Sequence, residues 1–173
     1  MEWLLVPVAY LIGSVQWGIY VVKLTKGLDV RTVGSGSTGT TNVLRSAGKT
    51  AAIVVLFADA AKGLSVALIA KTVSDDPSLH AAATAGVIIG HIFPILAGFK
   101  GGRGIAAGVG TIAGLGLWGP AMALLVFISV VAITRYVSLG SVLAVVTTMI
   151  VFGAQAIWFD GSVAYLIYVL GCG

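Results

Sequence analysis

Apolar residues run almost unbroken through most of this chain, and the polar ones gather in a few short stretches. A helix needs about 20 mainly apolar residues to cross a hydrocarbon core of ~30 Å. Trp3 to Val22 supplies a first span of that kind, ending at Lys23 and Lys26, and a polar stretch from Thr25 to Lys49 follows. The second span is Thr50 to Ala70, closed by the acidic, proline-containing turn Ser74-Asp75-Asp76-Pro77. Ala81 to Gly98 makes a third, leading into the short basic loop Phe99 to Gly104. A Gly-rich fourth segment runs from Ile105 to about Trp118 and is expected to break at Gly119-Pro120. Ala121 to Ile133 is the fifth, and Leu139 to Ile157 the sixth, after the polar loop begun by Thr134-Arg135. Ser162 to Leu170 starts a seventh, and Gly173 cuts it short of a full crossing. The pattern predicts an all-α integral membrane protein, a single transmembrane domain over residues 1–173 built as a bundle of about seven helices, the last truncated.

Composition agrees. Of the 173 residues, 58% are hydrophobic and 9% charged, where soluble domains carry about 25% charged residues. The single cysteine, Cys172, excludes an internal disulfide. No basic leader precedes the first apolar run, so a cleavable signal peptide is not expected. The positions of the charges say more than their sum of +4. Lys23, Lys26, Arg31, Arg45, Lys49, Lys100, Arg103 and Arg135 all fall on one side of the segmentation, and Glu2, Asp75, Asp76 and Asp160 on the other. Basic loops are retained in the cytoplasm, which predicts an N-terminus outside and the polar loops on the cytoplasmic face.

The first of those loops, Val33 to Arg45, reads VGSGSTGTTNVLR. Its glycines Gly34, Gly36 and Gly39 free the backbone, while Ser35, Ser37, Thr38, Thr40, Thr41 and Asn42 crowd it with hydrogen-bonding groups. If Thr40 or Thr41 opens a helix, the amides at its start add positive partial charge, and Arg45 adds a forked guanidinium. The pattern suits a phosphate cradle. A flexible Gly/Ser linker is the plainer alternative, but a linker needs neither helix-start residues nor an arginine. Gly34, Gly36 and Gly39 also fit G-x-G-x-x-G, yet no strand precedes them in a βαβ pattern, and Val43 stands where a P-loop ending at Gly48-Lys49-Thr50 needs its first glycine.

The loop Lys100-Gly101-Gly102-Arg103-Gly104 is a second candidate cradle, with two cations about a glycine pair. His91, before Pro94 in the third span, is an ionisable group at membrane depth, as suited to catalysis as to a structural bond with a backbone carbonyl. Asp59 and Lys62, three apart, share a helical face and can pair inside the bundle, whereas His80 in the outer turn reads as a surface residue. Ser138 and Ser141 share a face beside Arg135. No nucleophile, histidine and carboxylate stand at a recognisable spacing, and no metal-ligating cluster is seen, so no metal or cofactor is expected. Nor is a nucleic-acid partner.

Taken in order, Leu11-Ile12-Gly13-Ser14, Asp29 and Arg31 with GSGSTGTTN to Arg45, the run Asp59 to Gly63, Gly90-His91 to Pro94 with FKGGRG, and Arg135 to Ser141 resemble the acyl-phosphate-dependent glycerol-3-phosphate acyltransferases. The resemblance implies a bacterial inner-membrane enzyme that moves a fatty acyl group from acyl phosphate to the 1-hydroxyl of glycerol 3-phosphate, giving lysophosphatidic acid for phospholipid synthesis. By position it makes Ser35, Arg45, His91 and Lys100 catalytic. Gly34, Gly36, Ser37, Gly39, Thr41, Asn42, Gly101, Gly102, Arg103, Gly104, Ser138 and Ser141 would bind the substrate phosphates. Three departures stand out: Ser37-Thr38-Gly39-Thr40 replaces the usual Asn-Pro-Gly-Ala, Arg103 replaces a lysine, and a cytoplasmic histidine and asparagine beyond the seventh span are not in this sequence. Two alternatives are a catalytically weak homologue that binds acyl phosphate or lipid, and a transporter of a phosphorylated solute, although no internal repeat is seen.

Overall fold

The computed structural model describes residues 1–116 and 118–155. Among the described residues the regular elements are helices: α1 Leu5–Ser14, α2 Trp17–Lys26, α3 Thr40–Ala47, α4 Lys49–Val73, α5 Pro77–Ile92, α6 Ile105–Leu115, α7 Trp118–Thr134 and α8 Val137–Gln155. Three helical stretches, Glu2–Lys26, Lys49–Val73 and Pro77–Ala97, are long and apolar enough to cross a membrane, and 105–115, 121–134 and 142–151 are shorter apolar helices. The segment expected from Ser162 to Leu170 lies outside the described residues, as do the side chains of Ser138 and Ser141 in α8.

Two boundaries differ from the sequence expectation. The first span is not one helix: Val15 (φ −70, ψ 115) and Gln16 (φ −101, ψ 90) are extended and separate α1 from α2. A break at membrane depth leaves carbonyls that must find other donors. Lys62 on α4 supplies one, its Nζ donating to Gly13 O at 3.1 Å and Val15 O at 2.8 Å. Further along, the chain breaks at Gly116, which is extended, and Pro120 lies inside the first turn of α7. Proline is tolerated there because first-turn amides have no intrahelical acceptor to lose. A third expectation also changes, since His80 is buried and its Nε2 lies 2.6 Å from Ser74 O.

Two close helix pairs make the frame. A Cβ on Gly90 would stand 2.1 Å from Tyr10 O, and one on Gly13 2.1 Å from Val87 O, so α1 and α5 touch backbone to backbone. Gly63 and Gly110 do the same for α4 and α6, with virtual Cβ atoms 2.1 Å from Ala107 O and 1.9 Å from Ala60 O. Small residues allow such contact, and membrane helices rely on it because lipid offers no hydrophobic drive between them. Both pairs run parallel: Val6 and Tyr10 face Gly86 and Gly90 in turn, and Gly63 and Ala67 face Ala107 and Gly114. The short helix α3 is seated by Val43, which packs with Val22, Val30, Ala51, Ala52 and Val55 from α2, the turn after it and α4. By contrast, α7 and α8 pack chiefly on each other, with α6 as their link to the rest.

The break at Val15-Gln16, Lys62, His91 and Ala107 fall at one level. Asp59 is ten residues into α4, about 15 Å along the helix at ~1.5 Å per residue, or half of a ~30 Å core. The polar floor of the bundle is therefore recessed.

Candidate functional site

Asn42, in the first turn of α3 and 2% exposed, organises the loop before it. Its Nδ2 donates to Val30 O, Val33 O and Ser37 O at 2.9–3.0 Å, and its Oδ1 accepts from the Ser35 amide at 3.0 Å. Gly34 (φ +58) turns the chain around this amide, and a Cβ there would fall 2.2 Å from Asn42 Oδ1. Asn42 thus holds the loop by both ends of its side chain. The helix it belongs to begins at Gly39 without a side-chain cap, so the first amides of α3 lack intrahelical acceptors and carry the positive end of its dipole.

The second loop leaves the single 3-10 turn Ile95–Ala97 through two left-handed residues, Gly98 (φ 63) and Phe99 (φ 61), and folds back on α5. The Gly102 amide donates to His91 O at 3.2 Å, and Gly101 O accepts from the Thr38 amide at 3.5 Å. Gly102 Cα lies beside Gly39, so the two glycine-rich loops meet. Arg31 adds a tie from the entrance of the first loop, chelating Asp29 at 2.7–3.1 Å and donating from Nη1 to Ala97 O at 3.0 Å. That hydrogen-bonded guanidinium holds the Asp29 carboxyl well below its usual range, at about 2.

Under the loops lies the floor. Asp59 Oδ1 is 2.9 Å from Lys62 Nζ and 3.5 Å from His91 Nδ1, all three groups being nearly inaccessible. His91 Nδ1 has no hydrogen-bond partner among the described residues, and the Nε2 edge of its ring is pressed against Gly102. A cavity of about 310 Å³ opens between these layers. Ser35, Ser37, Gly39, Thr40, Thr41, Asn42 and Arg45 form one wall, Arg103 and Gly104 another, Asp59 and His91 the floor, and Leu56, Ile105 and Ala106 an apolar side.

Of the residues singled out from the sequence, the fold brings Ser35, Ser37, Gly39, Thr41, Asn42, Arg45, His91, Arg103 and Gly104 to this one cavity. Gly34, Gly36, Lys100, Gly101 and Gly102 do not line it. Gly101 and Gly102 are packed on α5 instead, and Lys100 is exposed. Leu56, Ile105 and Ala106 are new, and nothing in an apolar run separates a residue beside a cavity from one facing lipid. Arg45 and Arg103 are both exposed and form no ion pair among the described residues. Two guanidiniums without an ion pair among the described residues, the hydroxyls of Ser35, Ser37, Thr40 and Thr41, and a helix start converging on one recess form an arrangement suited to phosphate or another oxyanion.

Fold and site together define a polytopic membrane protein with a polar cavity whose lining suits an anion. The family model for glycerol-3-phosphate acyltransferase matches residues 3–172. A glycerol-3-phosphate acyltransferase of Methylococcus capsulatus is 46% identical over 147 residues, covering 84% of this chain and 74% of the relative. That of Halalkalibacterium halodurans is 40% identical over 96% of this chain and 82% of its own length. The crystal structure of PlsY (YgiH), an integral membrane glycerol 3-phosphate acyltransferase, in its glycerol 3-phosphate form superposes with a TM-score of 0.85 at 34% identity, covering 99% of this chain and 84% of that one. Its lysophosphatidic acid form gives 0.84 at 32% identity. The chain belongs to the glycerol-3-phosphate acyltransferase family.

Proposed function

We propose that this chain transfers a fatty acyl group from acyl phosphate to the 1-hydroxyl of glycerol 3-phosphate, in a bacterial inner membrane, with the cavity open to the cytoplasm. The observation that carries the reading is the convergence of Arg45, Arg103 and the uncapped start of α3 on one recess above His91. Family membership supplies the reaction class.

The chemistry asks little of the protein. The 1-hydroxyl oxygen attacks the acyl carbonyl carbon, the bond from that carbon to the phosphate oxygen breaks, and the hydroxyl proton goes to the departing phosphate. An acyl phosphate already carries a good leaving group, so the gain comes from aligning two anions and stabilising charge on the carbonyl oxygen. Arg45 and Arg103 neutralise the phosphates, Ser35, Ser37 and Thr41 donate hydroxyl bonds, and His91 and Asp59 fix the polar floor. Lys100, at the exposed rim, adds positive potential that draws anions in. The apolar side, with Leu56 and Ile105, takes the first part of the acyl chain.

The test is purified protein in detergent or vesicles with acyl phosphate and labelled glycerol 3-phosphate. Lysophosphatidic acid should form in step with phosphate release. Phosphate release without labelled lipid would reduce the protein to a hydrolase, and no product from either substrate would end the transfer reading. Orientation is checked separately after replacing Cys172: cysteines at Asp76 and Lys49 should react with an impermeant thiol reagent from opposite sides, Asp76 from outside.

A further inference from the structure

Gln16 stands at the break in the first span, 2% exposed, and its amide faces three partners on three different segments. Nε2 donates to Gly13 O at 3.3 Å and to His91 O at 3.2 Å, and Oε1 accepts from Thr38 Oγ1 at 2.5 Å. Only this orientation satisfies two carbonyls and one hydroxyl, which fixes which end of the amide is which. His91 O also accepts the Gly102 amide. A single side chain therefore joins the broken helix, the α5 terminus that carries the second loop, and the first loop at Thr38.

Thr38 is gripped from the other side as well. It is 1% exposed, its carbonyl lies where a Cβ on Gly18 would stand, 1.9 Å away, and its amide reaches Gly101 O. The next residue, Gly39, is where α3 begins. Any shift of Thr38 moves the first amides of α3, and with them the wall that carries Thr40, Thr41 and Arg45. Neither Gln16 nor Thr38 lines the cavity, so whatever they do for an anion they do through these neighbours. Leaving Thr38 Oγ1 or the Gln16 amide unpaired in so dry a place is costly, which keeps the join closed.

Building on the proposed reaction, we infer that Gln16 and Thr38 are positioning residues: their buried hydrogen bond sets the affinity for glycerol 3-phosphate by fixing where α3 starts relative to His91 and the second loop. The pair is a clamp on the cradle, not a contact of it.

The experiment measures kcat and KM for glycerol 3-phosphate at saturating acyl phosphate in the full chain. Thr38→Val keeps the shape and removes the hydroxyl, Thr38→Ser restores it, and Gln16→Met removes the amide at similar length. Thr38→Val and Gln16→Met should each raise KM roughly three- to tenfold, with kcat within about twofold of the unaltered chain. Thr38→Ser should return KM to the starting value, and the double variant should be no worse than the more impaired single, since the bond between the two is lost only once. An unchanged KM in Thr38→Val, a Thr38→Ser as impaired as the valine variant, or additive effects in the double variant would overturn the clamp. Where Gln16→Met does not fold, the Thr38 pair decides alone. Arg45→Ala separates the two levels of argument. If it raises KM while Thr38→Val does not, the clamp fails and the cavity stands; if Arg45→Ala also leaves KM unchanged, the reading of the cavity fails with it.

Discussion

Gly34 lies at φ +58 with Asn42 Oδ1 where its side chain would be, whereas Gly101 and Gly102 have ordinary backbone angles and are hemmed in by His91 O, Ile92 O and the His91 ring. The two loops look alike in composition and use glycine for different ends. In the first, glycine lets the chain turn around a buried asparagine, leaving its hydroxyls and the α3 amides facing the cavity. In the second, the Gly101-Gly102 pair lets one segment lie flat on the end of α5, and only Arg103 and Gly104 reach the cavity. One loop presents donors; the other holds the floor and lends a single cation. A glycine-rich sequence next to a cation is thus a statement about close approach, and the partner approached can be the protein itself.

The largest expected effect breaks the comparison most directly. Gly101→Ala places a methyl 2.1 Å from His91 O and 2.6 Å from Ile92 O, against backbone that cannot swing away. It should cost about 3 kcal/mol of stability, at the upper end of overpacking penalties, and show as a clear fall in the thermal unfolding midpoint in detergent. If instead Gly101→Ala melts normally and only weakens glycerol 3-phosphate binding, the second loop approaches substrate in the way its sequence suggested, and the contrast between the loops disappears.

Next comes Asn42→Ala, which strips one acceptor and three donated bonds from the first loop. Unsatisfied buried partners cost ~1–3 kcal/mol, so the variant should be destabilised by about 2 kcal/mol and lose ordered structure over 33–38, read by faster amide exchange there. Unchanged exchange would mean that the loop holds its shape without Asn42.

Arg45→Ala and Arg103→Ala should behave alike and differently from both. Each is exposed, without an ion pair among the described residues, so stability should stay within about 0.5 kcal/mol. Losing a charge-assisted bond to phosphate should weaken glycerol 3-phosphate binding by about 1.5–3 kcal/mol. A variant that binds normally would show that its loop contributes no cation to the substrate.

How far the sequence foretold this site depends on the kind of signal. Apolar runs located the helical stretches Lys49–Val73 and Pro77–Ala97 to within a few residues, because bilayer thickness dictates their length. They could not locate the break at Val15-Gln16: both residues sit inside an apolar stretch, and what stabilises the break is Lys62, 47 residues further on. The gathering of first-loop residues at one cavity was legible because hydroxyls, glycine and arginine are local in sequence. Asn42 was legible as polar but not as a buried organiser, since its partners Val30, Val33 and Ser37 use backbone atoms that every residue has. Gln16 carried no signal of its own, for the same reason.

The smallest effect concerns the tie that joins the loops away from the cavity. Arg31 is chelated by Asp29 and reaches Ala97 O, so this cation is committed to structure, where Arg45 and Arg103 form no ion pair among the described residues. Asp29 has its carboxyl lowered from 3.8 to about 2, mainly by the Arg31 side-chain bonds and then by the Arg31 amide. A carboxyl lowered in the folded state favours folding above its ordinary value, and that contribution drains away as pH falls from about 4 toward 2. The Asp29 side chain is 35% exposed, so solvent screening keeps the gain under about 1 kcal/mol. Asp29→Asn should therefore melt slightly below the unaltered chain at pH 6, and the two unfolding midpoints should converge as pH is lowered to 2. A gap that persists at pH 2 would mean that Asp29 acts through side-chain hydrogen bonds that do not depend on its charge, so that the charged tie to Arg31 would not be what sets this cation apart from Arg45 and Arg103.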